Sequence, residues 1–240
     1  GAVLKVIPIN EAGEILFKEF EKLLSPKTKL VSIVHASNAL GTINPVKQII
    51  DAAHAVGAKV LLDGAQSSSH LRIDVQALNC DFFAFSAHKL YGPTGLGCLY
   101  GKREVFESMP PYQGGGEMVK EVTFEKTTYN EIPFKFEAGT PNIGDVIAFK
   151  AAIDFINELG KDAIRAHEDE LLSYANEQLS QIKGFVPVGT AKEKVSVLSF
   201  NINAMHPYDV GMMLDANGIA VRTGHHCTQP LMKRLGLEGT

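Results

Sequence analysis

The sequence predicts an α/β chain, with a mostly parallel sheet flanked by helices and then a smaller α+β unit. Three observations predict it. Short apolar runs rich in β-branched or aromatic residues alternate with helical periods through the first hundred residues. Their spacing is that of strand–helix–strand units, which pair in parallel through a right-handed crossover. Beyond Gly160 a long helical pattern gives way to a strand–helix–strand rhythm of its own. The expected division is 1–159 for a large domain and 160–240 for a small one. At 240 residues, 45% hydrophobic and 21% charged, the chain has ordinary globular composition and length enough for a sizeable core.

Residues 30–34 (Leu-Val-Ser-Ile-Val) read as the first strand. Asn44-Pro45 opens a helix, with Pro45 in the first turn, where its missing N–H costs little. Val46, Ile49, Ile50 and Ala53 follow at helical spacing, and Gly57 stops the helix. Val60, Leu61 and Leu62 form a second buried strand and 82–85 a third. Residues 96–100 return beside the third as in a hairpin. The segment 109–142 holds Pro110-Pro111, Gly114-Gly115-Gly116 and Gly139-Thr140-Pro141, and a loop of that length in a compact domain is usually functional or an interface arm. Val146, Phe149, Ile153 and Ile156 mark one helix, ended by Gly160. Ile164, His167, Leu171, Ala175, Leu179 and Ile182 mark the next. Then come a strand over 195–202, a helix over 207–217 with Gly218 behind it, and a strand over 219–222.

Composition excludes several classes. Lys+Arg number 23 against 27 Asp+Glu, a net charge of −4, so no basic excess invites nucleic acid or an anionic membrane. No apolar run approaches the ~18 residues of a membrane span. The first ten residues lack the basic and apolar regions of a signal peptide, and the chain starts at Gly1 rather than Met. Three Cys cannot make a disulfide scaffold. The expectation is a soluble protein of a reducing compartment, the cytoplasm.

Three polar stretches stand just past the carboxyl ends of expected parallel strands: Ser37-Asn38-Ala39-Leu40-Gly41, Asp63-Gly64-Ala65-Gln66 and Ser86-Ala87-His88-Lys89. Ligands of open α/β sheets bind there. Asp63 suits either a ligand-facing carboxylate or a helix cap or turn. Lys89, so near a core strand, is expected to be partly desolvated, which lowers a lysine's pKa and suits it to Schiff-base chemistry; the alternative is an ordinary surface lysine. Ser86, His88 and the Gly92-Pro93-Thr94-Gly95 turn offer phosphate donors, although neither a P-loop nor a GxGxxG is present. In Arg222-Thr223-Gly224-His225-His226-Cys227, Arg222 and either protonated His would favour a thiolate on Cys227. A loop thiol is the plainer reading. Metal ligation by the adjacent His225, His226 and Cys227 is disfavoured by their spacing, so no metal is expected. Cys80 and Cys98 read as small core residues.

Together HASNALGTINPV, VLLDGAQS, FSAHKLYGPTGLG, FEAGTPN and VRTGHHC resemble a pyridoxal-phosphate (PLP) cysteine desulfurase of the Suf-type, selenocysteine lyase-like group, over nearly the whole chain. The lysine motif belongs to class V aminotransferase-like enzymes, and RTGHHC narrows it to this group. The resemblance implies a partial PLP-transferase fold type I large domain plus a partial small domain. It implies that Lys89 holds PLP covalently and shuttles the α-proton, and that Asp63 pairs with the pyridinium nitrogen. Asn38 and Gln66 would contact the ring's phenolic oxygen, and Ser86 and His88 the phosphate. Thr140 would reach the phosphate site of a neighbouring subunit in a homodimer. Arg222, with Asn38, would lie at the substrate carboxylate. Cys227 would take sulfur from L-cysteine, or selenium from L-selenocysteine, leaving alanine, and pass the persulfide to an acceptor protein for iron–sulfur cluster assembly. Set against that family the chain is short at both ends. It lacks the N-terminal part with the ring-stacking residue and the segment with the main carboxylate-binding arginine. Two other readings follow: a catalytically incompetent fragment that keeps dimerisation or acceptor surfaces, and a different class V enzyme, an aminotransferase or kynureninase-like hydrolase.

Overall fold

The computed structural model describes residues 1–240. After a short helix α1 (Phe17–Leu23) the chain builds a four-stranded sheet. The order is β1 (Leu30–Val34), β2 (Lys59–Asp63), β3 (Phe82–Ser86) and β4 (Gly97–Gly101). The first two pairings are parallel and β3–β4 is antiparallel, so the expected hairpin-like return is present. Helix α2 (Val46–Ala55) carries the first crossover. Its Val46, Ile49, Ile50 and Ala53 are buried against Val31, Val60, Leu62 and Phe83, with Phe20 of α1. Each fully buried aliphatic side chain of this kind contributes about 1.5–3 kcal/mol, so this cluster is what holds the sheet and α2 together. Pro45 lies one position earlier than expected, as the N-cap, and its carbonyl accepts the Ile49 N–H at 3.2 Å. Gly57 ends the helix at φ +78°, in the left-handed region.

Two one-turn helices, α3 (Ser67–His70) and α4 (Val75–Leu78), fill the second crossover. A 3-10 turn, Ala87–Leu90, follows β3, and α5 (Arg103–Ser108) follows β4. The segment expected to be one long loop contains an antiparallel hairpin, β5 (Val119–Val122) with β6 (Thr127–Tyr129). Its strands are largely exposed and lack apolar alternation, so no strand period marks them.

Helices α6 (Ile143–Leu159) and α7 (Lys161–Leu179) meet at Gly160 as expected. The expected apolar stripe of α6 does not all turn inward. Ile156 is buried, with Ala152, while Val146 and Ile153 are exposed. The α6 circumference is apolar on several sides, so a one-face period does not describe it. The last part holds β7 (Phe185–Val188), β8 (Ser199–Ile202), α8 (Pro207–Asp215) and α9 (Gln229–Leu235). Only 199–202 of the expected 195–202 strand pairs with β7; Val195 instead donates its N–H to the Gly41 carbonyl at 2.9 Å. Residues 219–222 are not a strand, because no neighbouring strand pairs with them, and Ile219 and Val221 face solvent. A second cluster of Ala39, Leu40, Val188 and Met232 packs this part against the loop after β1. No helix is long and apolar enough to cross a membrane.

Candidate active site

The register places Val34 opposite Asp63 and Asp63 opposite Ala84. β1, β2 and β3 therefore leave the sheet along one edge. Two backbone bonds hold the exits side by side: His35 N–H to the Asp63 carbonyl at 2.8 Å, and Gly64 N–H to the Ala84 carbonyl at 2.7 Å. After β1, the Ser37 hydroxyl accepts the N–H groups of Ala39 and Leu40 at 3.3 and 3.0 Å, closing a tight turn that presents Asn38. After β2, position 64 must be glycine, because a Cβ there would sit 1.9 Å from Cζ of the Phe83 ring. After β3, Ala87 and Leu90 are buried and anchor the 3-10 turn, while His88 and Lys89 face out.

Asn38, Asp63, Gln66, Ser86, His88 and Lys89 are thus brought to one edge. Asp63 Oδ1 accepts the Ala65 N–H at 2.9 Å, so it forms a turn and still presents a carboxylate to solvent. Of these side chains only Asn38 and Asp63 hydrogen-bond inside the chain. Lys89 is exposed. The expected desolvation is therefore not found: Phe82–Ser86 lies behind the lysine, and no residue of this chain covers it. Thr140 is exposed in the loop before α6. Cys80 is buried as expected, but Cys98 is exposed, because β4 presents it on the open edge of the sheet.

The cysteine loop meets the same edge. Arg222 Nη2 lies 3.5 Å from Cys227 Sγ. His226 and Cys227 have φ values of +53° and +61°, unusual for residues with a Cβ. Asn38 Nδ2 donates to the His226 carbonyl at 2.6 Å across 188 residues of sequence. His226 Nε2 sits 2.8 Å from the Thr240 hydroxyl, and Gly224 and Thr240 exchange backbone bonds at 3.0 and 3.2 Å. Burial lowers the His226 pKa, and Arg222 and His225 lower it further against the Thr240 hydrogen bond. The shift disfavours the protonated form of His226, which counts against its share in the expected support of the thiolate. Arg222 is the cation in contact with the sulfur. No three His, Cys, Asp or Glu side chains are grouped to hold a metal ion.

A cavity of about 250 Å³ opens beside the loop. Val197, Leu214 and Val221 form apolar wall, while Asn38, Arg222 and His226 form polar wall; Asp63 and Lys89 lie outside it. The sequence reading missed His35. It is buried, its Nδ1 has no partner, and burial lowers its pKa to about 4. A histidine directly after an apolar run was the available signal. It also missed the Asn38–His226 bond, for which no local signal exists.

The class-V aminotransferase family model matches residues 1–240. The chain belongs to the class-V aminotransferase family. A cysteine desulfurase of Synechococcus elongatus is 53% identical over the whole chain, which spans 38% of that relative's length. A probable cysteine desulfurase of Halalkalibacterium halodurans is 52% identical, with 59% of its length spanned. The crystal structure of an Escherichia coli cysteine desulfurase, in an S-sulfonic acid form, superposes with a TM-score of 0.93 at 38% identity, over 98% of this chain and 58% of that one. The chain thus spans roughly two-fifths to three-fifths of these relatives. Membership of the class-V aminotransferase family indicates PLP as cofactor. The donor set fits it: a solvent-facing carboxylate, a lysine amine without partner, and hydroxyl, imidazole and amide groups free to bind converge on one sheet edge.

Proposed function

We propose that the chain is part of a PLP-dependent cysteine desulfurase that moves the sulfur of L-cysteine onto Cys227 and leaves L-alanine. One observation carries the reading: the Arg222–Cys227 contact at 3.5 Å lies in a loop that Asn38 ties to the edge bearing Asp63 and Lys89. When bound, PLP supplies an electron sink for the substrate carbon. Lys89 Nζ would hold the cofactor and move the α-proton. Asp63 would keep a proton on the ring nitrogen, Gln66 and Asn38 would bind the ring oxygen, and Ser86 and His88 would bind the phosphate. Arg222 attracts the substrate carboxylate and favours the thiolate of Cys227. That thiolate attacks the substrate sulfur. A new S–S bond forms, the Cβ–S bond breaks with its electron pair on carbon, and protonation of that carbon gives alanine. The sulfur is oxidised to the persulfide level and the carbon reduced, so no outside oxidant is needed.

The finer reading is a Suf-type, cytoplasmic homodimer, with Thr140 reaching the partner's phosphate site and the persulfide passing to an acceptor protein for iron–sulfur assembly. Selenocysteine is a second substrate of the same chemistry. Added PLP should give a visible absorption band that Lys89→Ala abolishes. Cys227→Ala should keep the band and lose persulfide formation, by at least about a hundredfold in turnover for a removed nucleophile. Absence of the band in the unaltered chain would defeat cofactor binding by these residues. Pyruvate in place of alanine would point to another class V chemistry.

A further inference from the structure

We infer that Asn38 is a positioning residue for Cys227: its amide, anchored at the exit of β1, holds the cysteine loop in the left-handed backbone that keeps the sulfur beside Arg222. The inference rests on the reading of Cys227 as the reactive thiol and adds a role for Asn38 apart from the ring or substrate.

The geometry is specific. The His226 carbonyl must accept, so the amide nitrogen faces it, at 2.6 Å. That bond uses one of two N–H donors and leaves the other, with the amide oxygen, for a ligand. One side chain therefore touches both the loop and the cofactor edge. The bond acts on the peptide unit joining two consecutive non-glycine residues of positive φ, His226 and Cys227. Such conformations are strained for residues with a Cβ and persist only when surroundings over-determine them. The other constraints on the loop are local or lie at its C-terminal side: Thr228 Oγ1 to the His225 carbonyl at 2.8 Å, His226 Nε2 to Thr240, and the Gly224–Thr240 backbone pair. Asn38 alone ties it to the sheet. Asn38 is itself fixed, because Ser37 caps the turn that carries it and the next two residues, Ala39 and Leu40, are buried in the second core cluster. The charged and titratable groups around the thiol are Arg222, His225 and His226 of its own loop.

The test reads Arg222's distance from the sulfur. In the full chain, Cys227 is alkylated with neutral iodoacetamide and with anionic iodoacetate, and its adduct is quantified by peptide mapping apart from Cys80 and Cys98. A guanidinium beside the sulfur favours the anionic reagent, by roughly threefold for a unit charge about 6 Å from the incoming carboxylate in water. Arg222→Ala sets the floor of the iodoacetate-to-iodoacetamide ratio. Asn38→Ala, and Asn38→Ser whose hydroxyl is too short to reach, should fall to that floor, and Asn38→Ala with Arg222→Ala should fall no further. A loop that is merely loosened changes both rates together and leaves the ratio unmoved. An unmoved ratio in both Asn38 variants, or a further fall in the double variant, overturns the inference. Because the readout needs no PLP, it is separate from failure of the cofactor reading, which the Lys89 absorption band reports.

Discussion

Each end of the sheet carries an aspartate at a strand terminus, and the two are treated in opposite ways. Asp81, just before β3, is 1% exposed. Its carboxylate takes the Val60 N–H at 2.8 Å and His54 Nε2 at 2.7 Å, with Lys59 and Lys102 Nζ at 3.2 and 3.9 Å. Burial alone would raise its pKa, but the bonds from His54, the Val60 N–H and Lys59 outweigh it and hold the carboxyl below its ordinary value. Asp63, at the far end of β2, accepts one turn bond and faces solvent. A carboxylate whose partners are all inside the chain is committed to the fold. One left with spare capacity at the carboxyl edge of a parallel sheet is available to a ligand.

Breaking the buried end should have the largest effect. Asp81→Ala leaves the Val60 N–H buried and unpaired and removes the counter-charge of Lys59 and Lys102, so urea denaturation should show a loss of about 3 kcal/mol. The depressed carboxyl also gives a signed pH effect. Its contribution is complete above the unfolded carboxylate value of about 4 and disappears as pH falls through the folded value below it. Retained stability in Asp81→Ala would show that the network is ornamental and would collapse the contrast.

His35 sharpens the comparison, because it is a buried polar group at the functional end. Its folded pKa of about 4 lies below the usual 6.5. Between those values the unfolded chain binds the proton that the folded chain refuses. Stability should therefore fall by about 3 kcal/mol as pH drops from 6.5 to about 4, and flatten below. His35→Leu should remove that slope while leaving the Asp81 window beneath pH 4 in place. A slope unchanged in His35→Leu would reassign it to another group.

The two ends also differ in how legible they were. The strands 30–34 and 59–63 and helix α2 follow from local apolar patterns, since their buried residues are neighbours in sequence. The carboxyl-edge side chains were legible for the same reason: three polar stretches each sit directly behind such a run. The hairpin β5–β6 was not, because Val-Lys-Glu-Val has an exposed, charged interior and its Thr123–Lys126 turn lacks Gly and Asn. β7 contains Pro187, which masks an edge strand. Residues 219–222 have the composition of a strand but no strand to pair with, and composition says nothing about partners. Lys89 failed likewise: the phenylalanines beside it are local, but desolvating its amine needs something packed over it, and nothing in this chain is. The Asp81 network joins α2, β2, the start of β3 and the end of β4, and the Asn38 tether spans 188 residues. Neither leaves a local trace.

The smallest expected effect on folding is at Asp63. In Asp63→Asn the amide oxygen still accepts the Ala65 N–H, so the turn survives, and no buried partner loses a charge. Stability should stay within about 0.5 kcal/mol, as for exposed substitutions generally. PLP affinity should nevertheless fall, since an amide oxygen holds a proton on the ring nitrogen far less well than a carboxylate, and titration of the absorption band at fixed protein concentration would measure it. Unchanged folding with weakened cofactor binding is the signature of an acid whose free capacity faces a ligand. A loss of stability comparable to that of Asp81→Ala would mean that Asp63 is also committed to the fold, and the two ends of the sheet would no longer differ in kind.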